Sequence, residues 1–461
     1  MPDAPHTEKS MIQAFSNIFK VPELRQKVLF TLFIILIYRL GSYVATPGID
    51  VAELAKFFQS ISRTPGGTLF GIMGMFSGGA LEKATIFALG IMPYISSSII
   101  LQLLTVVIPA LEKMAKEGEE GRKKIIQYTR YGTVLLSIIQ TFFIALWLEN
   151  PNAFNGHVIV PNPGWGFRLM TILTLTTGTA FIMWLGEQVD QYGIGNGMSI
   201  IITAGIIANI PVALWQTWIL LSPMDPARQQ LAWWKFGLMI MLFVSTVIGV
   251  ILIIQGQRKI PVQYAKQIRG HRVYGGQSTY LPLKVNQAGV IPIIFAQSVI
   301  LFPATIAGFF PRAGMLTSVA RHLVHGTWTY SILYAAFILF FTFFYTAITF
   351  NPIEVSENLQ KFGGFIPGIR PGKNTAEYLD YIMTRIAASG AVFLAAIALL
   401  PSIISSPRAL NIPFMIASFF GGTGLLIIVG VVLDTMQAIE SQLLMRHYEG
   451  FIKKGKLKSR R

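Results

Sequence analysis

The chain has no cysteine, which excludes a disulfide framework and a thiolate metal site. It is also short of charge. Asp, Glu, Lys and Arg make up 13% of its 461 residues, where soluble proteins carry about 25%. Acidic residues are the scarcer kind, 21 against 37 Lys and Arg, leaving a formal charge of +16. Catalytic motifs are missing too. There is no HExxH and no GxSxG. GIRPGKNT (Gly368 to Thr375) fails as a phosphate loop, because Pro367 stands where the first glycine belongs and Asn374 where Ser or Thr belongs. GIGNG (Gly193 to Gly197) follows no strand and reads as a turn. Ionisable residues in or at the ends of the apolar runs are few, among them Arg39 in the first, Arg385 at the start of the ninth and Asp434 at the end of the tenth. Each reads as an edge residue reaching the interface. The chain therefore reads as a non-enzyme, with no catalytic residue, no metal and no cofactor.

What is there is apolar: 53% of residues are hydrophobic, and the mean hydropathy is +0.56. A spanning helix needs about 20 apolar residues. Ten runs qualify, at 28–45, 84–108, 131–148, 168–186, 198–220, 236–254, 288–310, 330–350, 386–404 and 413–433. They predict an all-α membrane protein, because a bilayer offers no partner for exposed backbone groups. No small-residue cleavage site follows the first run and nine more runs come after it, so it is not read as a signal peptide. Loops 1–27, 107–126, 187–195, 256–286, 351–376 and 438–461 hold 25 Lys and Arg. Loops 45–82, 150–165, 211–234, 309–328 and 402–412 hold 6. The asymmetry predicts both termini in the cytoplasm and an even number of spans. Trp147, Trp165, Trp215, Trp218, Trp233, Trp234 and Trp328 fall near the outer interface, where an aromatic belt belongs. Residues 8–20 put Met11, Ile12, Phe15, Ile18 and Phe19 on one helical face, the pattern of an amphipathic helix on anionic lipid.

Two features point to a conduit. GGTLFGIMGMFSGGA (Gly66 to Ala80) is too short to span and too apolar for an ordinary loop. The second run pairs Ile91 and Ile95 with a polar stripe of Ser96, Ser97, Ser98, Gln102 and Thr105. The seventh repeats the design, with Ile291 and Ile294 near Pro292 beside Asn286, Gln287, Gln297 and Ser298. Two such helices could meet along a weak polar seam; equally, these serines and glutamines could be ordinary packing positions. Pro93, Pro292 and Pro303 interrupt runs, as in secondary transporters of small solutes, which stand as the alternative reading. No run has a central Asp or Glu, which argues against proton coupling.

Long, ordered motifs carry a resemblance. They are YRLGSYVATPGID (Tyr38 to Asp50), MFSGGALEKATIFALGIMPYISSSIILQLLT (Met75 to Thr105), EGRKKIIQYTRYGT (Glu120 to Thr133), MWLGEQVDQYGIGNGMSIII (Met183 to Ile202), STYLPLKVNQAGVIPIIFA (Ser278 to Ala296) and FNPIEVSENLQKFGGFIPGIRPG (Phe350 to Gly372). Together they resemble the SecY family, channel subunits of the bacterial protein translocon. The resemblance implies ten transmembrane helices in two five-helix halves of inverted topology around an hourglass pore. It divides the chain into a cytoplasmic N-terminal segment 1–27, a first half 28–220, a second half 221–437 and a basic cytoplasmic tail 438–461. It implies a pore ring of Ile91, Ile95, Ile202, Ile294 and Ile427, since branched apolar side chains can gate ions by dewetting. Residues 66–80 become a plug, with Leu69, Phe70, Ile72, Met73, Met75 and Phe76 as its apolar side chains. Ser96, Ser97, Gln102, Asn286, Gln297 and Ser298 become the lateral gate.

The resemblance also implies unfolded secretory polypeptides as cargo, with membrane segments released sideways into the inner membrane. Its implied partners are SecE-like and SecG-like small subunits, the SecA motor ATPase, the ribosome, signal peptides and nascent chains. Arg258, Lys259, Arg269, Arg272 and Arg370 fall in the two loops (256–286 and 351–376) that dock ribosome or motor. One departure concerns the first loop, where many relatives carry two adjacent arginines and this chain has His271-Arg272. A permanent cation is replaced by a group mostly neutral near pH 7. His271→Arg is expected to tighten ribosome binding at moderate salt; affinity unchanged across a salt titration would remove the idea.

Overall fold

The structure is a computed structural model that describes residues 21–61, 77–154, 156–221, 232–264, 267–269, 272–274, 278–309, 327–406, 410, 412 and 414–454. The amphipathic segment expected at 8–20 lies outside the described residues. The chain divides into two compact units, Met1–Val212 with Val431–Arg461, and Ala213–Gly430.

In the first unit, α1 (Pro22–Gly41) opens with proline at its first turn, where a missing N–H costs nothing, and has Glu23 and Arg39 at the ends that favour their charges. Its inner stripe is Leu24, Thr31, Ile34 and Tyr38, while Leu29, Leu32, Phe33, Leu36 and Leu40 lie exposed. An apolar outer face is what lipid asks of a spanning helix. Asp50 caps α2 (Val51–Ile61) through the N–H groups of Ala52 and Glu53. Phe57 docks α2 on Phe154, whose ring in turn meets Trp147, both at 4.5 Å. Hydrogen bonds from Lys56, and then His157 at 2.8 Å, hold the Glu53 carboxyl below the usual carboxylate range.

Residues 77–91 are a series of turns, and α3 (Met92–Val107) follows them. The expected run 84–108 is therefore helical only from Met92. Hydropathy measures a preference for lipid and is blind to the path of the backbone. Pro93 sits in the first turn of α3, so it starts the helix instead of interrupting a span. A 100° bend leads into α4 (Pro109–Lys116). Then come α5 (Glu119–Leu148) and α6 (Trp165–Tyr192). Asn196 caps α7 (Gly197–Ala208) by accepting from the Ser199 N–H, and α8 (Ile210–Leu221) follows, passing into the second unit at Ala213. Helices α5 and α6 outrun their apolar cores, because a helix continues through polar turns that a hydropathy reading drops.

The second unit holds α9 (Trp233–Gln255), strands β1 (Gln257–Tyr264), β2 (Gln267–Arg269), β3 (Arg272–Tyr274) and β4 (Ser278–Lys284), then α10 (Ile291–Phe309). After these come α11 (Trp328–Thr349), α12 (Pro352–Lys361), β5 (Gly364–Phe365), α13 (Lys373–Ser405) and α14 (Phe414–Phe420). Pro292 is the second residue of α10, again a helix start. The last helix, α15 (Thr423–Lys454), begins in this unit and passes into the first at Val431. There Ile439 joins Leu24 and Ile194 in a small core, and Lys27 Nζ donates to Gln442 Oε1 at 3.4 Å.

Among the described residues, seven helices are long and apolar enough to cross a membrane, or eight if α3 and α4 form one bent span. Helix α1 stands outside that count, with Glu23, Arg25, Lys27 and Arg39 in its 20 residues. The C-terminal end of α5 and the N-terminal end of α6 are fastened together by Glu149. Its carboxylate accepts from Arg168 Nε at 2.8 Å, Arg168 Nη2 at 2.7 Å and the Gly164 N–H at 2.9 Å. The Glu149 side chain is 8% exposed and that of Arg168 is 26%. Glu149→Gln removes the negative charge and replaces one of the two acceptor oxygens with an NH2 donor, so the bonds to Oε1 and Oε2 cannot all be kept. It is expected to lower the thermal midpoint, by less than the loss of a fully buried pair because Arg168 reaches solvent. The measurement is the thermal midpoint of the purified protein; a midpoint equal to the wild type's would show that the network adds nothing.

Candidate functional site

The five isoleucines expected at a pore ring are all buried, at 6% exposure or less. In the first unit, Ile91 and Ile95 stand one turn apart at the start of α3, where the Ile95 N–H donates to the Ile91 carbonyl at 3.1 Å. Ile202 lies midway along α7. In the second unit, Ile294 occupies the first turn of α10 and Ile427 the first turns of α15. Branched aliphatic side chains have no hydrogen bond to lose, whatever surrounds them.

The polar stripe on α3 resolves into separate tasks. Ser97 is buried and donates to the Thr129 carbonyl of α5 at 2.9 Å. It fits there because residue 132 is glycine; a Cβ at that position would stand 2.4 Å from Ser97 Oγ. Ser97 thus fastens α3 to α5 within the first unit. Ser96 and Gln102 are half-buried, and Gln102 Nε2 donates to Ser98 Oγ at 3.2 Å. In the second unit, Asn286 Nδ2 donates to the Gly289 carbonyl and Ser298 Oγ to the Ile294 carbonyl, both at 2.8 Å. Asn286 Oδ1 and Gln297 Oε1 are buried and find no partner among the described residues. Buried acceptors without partners are uncommon and costly.

Of the glycine-laced segment, the structure describes Ser77 to Ala80; Leu69, Phe70, Ile72, Met73, Met75 and Phe76 lie outside the described residues.

The two basic loops share one construction that the sequence reading missed. Strand β1 pairs antiparallel with β4, from Gln257 opposite Lys284 to Gln263 opposite Ser278. On its other side β1 takes up β5, from the second loop, with Gln263 opposite Phe365. The sheet order is β4-β1-β5. Ile260, Val262, Leu283 and Ile366 pack with Leu379, Ile382 and Met383 of α13. The period-two alternation of Ile260, Val262 and Tyr264 was the available signal. Arg258 and Lys259 are exposed on β1. Arg269 and Arg272 face each other in register across the β2–β3 pair, and His271 lies outside the described residues.

Arg370 is exposed on a loop whose backbone is closely held. The Ile369 N–H donates to the Ile366 carbonyl at 3.1 Å, Thr375 Oγ1 to the Arg370 carbonyl at 2.9 Å, and Ser356 Oγ to the Gly372 carbonyl at 2.6 Å. Gly368 and Gly372 take φ of +85° and +98°, a conformation that costs other residues. With Pro367 and Pro371 beside them, they present the arginine on a stiff tip.

The SecY family model matches residues 85–436. The protein translocase subunit SecY of Escherichia coli K12 is 48% identical over 440 residues, covering 95% of each chain. A solved SecY structure, described for a plug domain that stabilises the closed state of the channel and maintains a membrane seal, superposes with a TM-score of 0.61 at 17% identity. It covers 96% of this chain and 99% of that one. Sec61 from a canine ribosome-channel complex gives a TM-score of 0.57 at 16% identity, covering 96% and 99%. At that identity the two structures establish a shared fold. The family match over three quarters of the length, joined to near-half identity from end to end, shows that this chain belongs to the SecY family.

Proposed function

We propose that the chain is the channel-forming subunit of a bacterial protein translocase. Unfolded secretory polypeptides cross the cytoplasmic membrane through it, and membrane segments leave it sideways into lipid. The observation that carries the reading is the 48% identity to a protein translocase subunit along 95% of the chain. The arrangement is ten spans in two inverted five-helix halves around an hourglass pore, with both termini in the cytoplasm. The seven or eight apolar helices among the described residues are compatible with that number.

Each group of residues then has a physical task. Ile91, Ile95, Ile202, Ile294 and Ile427 form the waist, where a dry ring opposes ions yet yields to a polypeptide. Residues 66–80 seal it at rest. Asn286 and Gln297, each with an amide oxygen unpartnered, belong to a seam that is polar enough to pair and too poorly satisfied to lock. Ser96, Gln102 and Ser298 complete it, while Ser97 steadies α3 from behind. The exposed Arg258, Lys259 and Arg370, with Arg269 and Arg272, offer a basic face to ribosomal RNA phosphates or to a SecA-like motor. The shared sheet makes the two loops one rigid platform. SecE-like and SecG-like subunits, signal peptides and anionic lipid are the remaining partners. Energy comes from the motor or the ribosome, since the chain itself carries no nucleotide loop.

The absence of native cysteine makes the decisive test clean. A single cysteine at Ile95 is expected to form a disulfide with a cysteine in a stalled secretory chain, in register with the stall position. No crosslink at Ile95, Ile202 or Ile294, with the chain demonstrably engaged, would return the solute-carrier reading. Deleting residues 66–80 is expected to leave translocation working and to raise ion leak in planar bilayers; unaltered conductance would count against a plug.

A further inference from the structure

Arg39 reads from the sequence as a cation at the edge of a span, reaching for the interface. The structure puts it to a different use. Its Nη1 donates to the Gly78 carbonyl at 3.3 Å, and its Nη2 to the Tyr43 hydroxyl, also at 3.3 Å. The guanidinium lies 5.4 Å from the centre of the Tyr43 ring, which also takes Lys83 Nζ at 4.2 Å. One residue earlier, the buried Tyr38 donates its hydroxyl to the Ser77 carbonyl at 3.4 Å. Ser77 Oγ in turn accepts from the Leu81 N–H at 3.3 Å. The backbone of the same stretch is tied to the chain just beyond α1. The Thr46 N–H donates to the Ala84 carbonyl and the Ile86 N–H to the Val44 carbonyl, both at 2.9 Å.

These contacts meet at one place. Ser77 and Gly78 belong to the end of the glycine-laced segment, where it rejoins the described fold. The fit is close. A Cβ on Gly78 would stand 3.1 Å from the Gly205 Cα of α7 and 3.3 Å from Arg39 Nη1, and its φ of +64° disfavours any other residue. Non-helical backbone at membrane depth must find donors within the protein. A guanidinium supplies several at once, and a charged donor makes a stronger bond than a neutral one. No carboxylate pairs with Arg39 among the described residues, so its charge is directed at a backbone carbonyl and an aromatic ring.

We propose that Arg39, seconded by Tyr38, is a positioning residue for the end of the glycine-laced segment: it pins Ser77 and Gly78, and through them opposes ion leak at rest. The inference rests on the reading of that segment as the plug. Arg39→Met keeps the length of the stem and removes every donor. Arg39→Lys keeps the cation and can still bond the Gly78 carbonyl. The experiment measures the resting ion conductance of the reconstituted full-length protein in planar bilayers, for both variants and for the 66–80 deletion, alongside thermal midpoint and translocation rate.

Arg39→Met is expected to leak several-fold more than wild type, approaching the deletion, with translocation retained. Arg39→Lys is expected to fall between Arg39→Met and wild type at an unchanged thermal midpoint, which a merely structural role would not produce. A leaking deletion beside an Arg39→Met variant as tight as wild type would overturn the anchor and leave the plug standing. A deletion that does not leak would remove the plug reading, and the anchor with it. Should Arg39→Met fail to fold, Arg39→Lys decides alone: conductance equal to wild type sinks the inference.

Discussion

Every backbone N–H and C=O that lies at membrane depth must be satisfied from within the protein, and most of this architecture follows from that demand. Helices meet it by construction. The informative places are where the helix stops. The same economy extends to the loop between α6 and α7, where the Ile194 N–H donates to Thr31 Oγ1 at 3.2 Å and Asp190 Oδ1 accepts from the Gly197 N–H at 2.7 Å. At 77–91 the chain borrows the carbonyls and N–H groups beside α1, with Arg39 and Tyr38 added. The irregular segments are thus the places where side chains are least replaceable, because each stands in for a missing turn of helix.

A bilayer also changes what can stand outside. Leu, Ile, Phe and Trp side chains stand exposed along α1, α6, α8, α9 and α11, while Thr and Ser hydroxyls share the interior with Ile, Leu and Ala. Thr129, Thr133, Ser137 and Thr141 fall four apart on α5, all buried. Thr133 returns its hydroxyl to the Thr129 carbonyl at 2.7 Å, and Ser137 does the same to Val134 at 2.8 Å. Such residues are small enough to let helices approach. Thr129, Thr133 and Ser137 satisfy their hydroxyls on carbonyls of their own helix, whereas Thr141 Oγ1 finds no partner among the described residues. Close approach, with Ser97 set against residue 132, then compensates for the weak hydrophobic drive between helices in lipid.

The helical class and the centres of the long runs were legible in composition alone, because lipid preference and helix formation coincide over about 20 residues. The ends were not. Residues 84–91 are as apolar as the helix that follows, yet they form turns, since the bond between Thr46 and Ala84 is made with a distant segment that no local pattern reveals. The three-stranded sheet was half legible. Alternation in 260–264 was present, but the addition of β5 joins positions about a hundred residues apart. Ser97 shows the limit of spacing as evidence. A serine on a polar stripe can face a seam or fasten a neighbour, and only the position of Thr129 distinguishes them. Arg39 shows the same limit for charge, because an edge cation and an anchor are identical in sequence.

Arg39 and Arg370 together show why counting positive charges predicts an orientation but does not distinguish cations put to different uses. Both are arginines and both follow the same electrostatic rules, yet the protein invests its fastening differently. Around Arg370 the bonds from Thr375, Ser356 and Ile369 hold the backbone and leave the side chain exposed to solvent. Around Arg39 the guanidinium is itself the fastening, turned inward to a glycine carbonyl. A lysine would serve the first role in part, as a point charge, but would supply the second with fewer donors and no planar face for Tyr43. What separates a docking cation from a structural one is therefore which end of the residue the fold has chosen to immobilise.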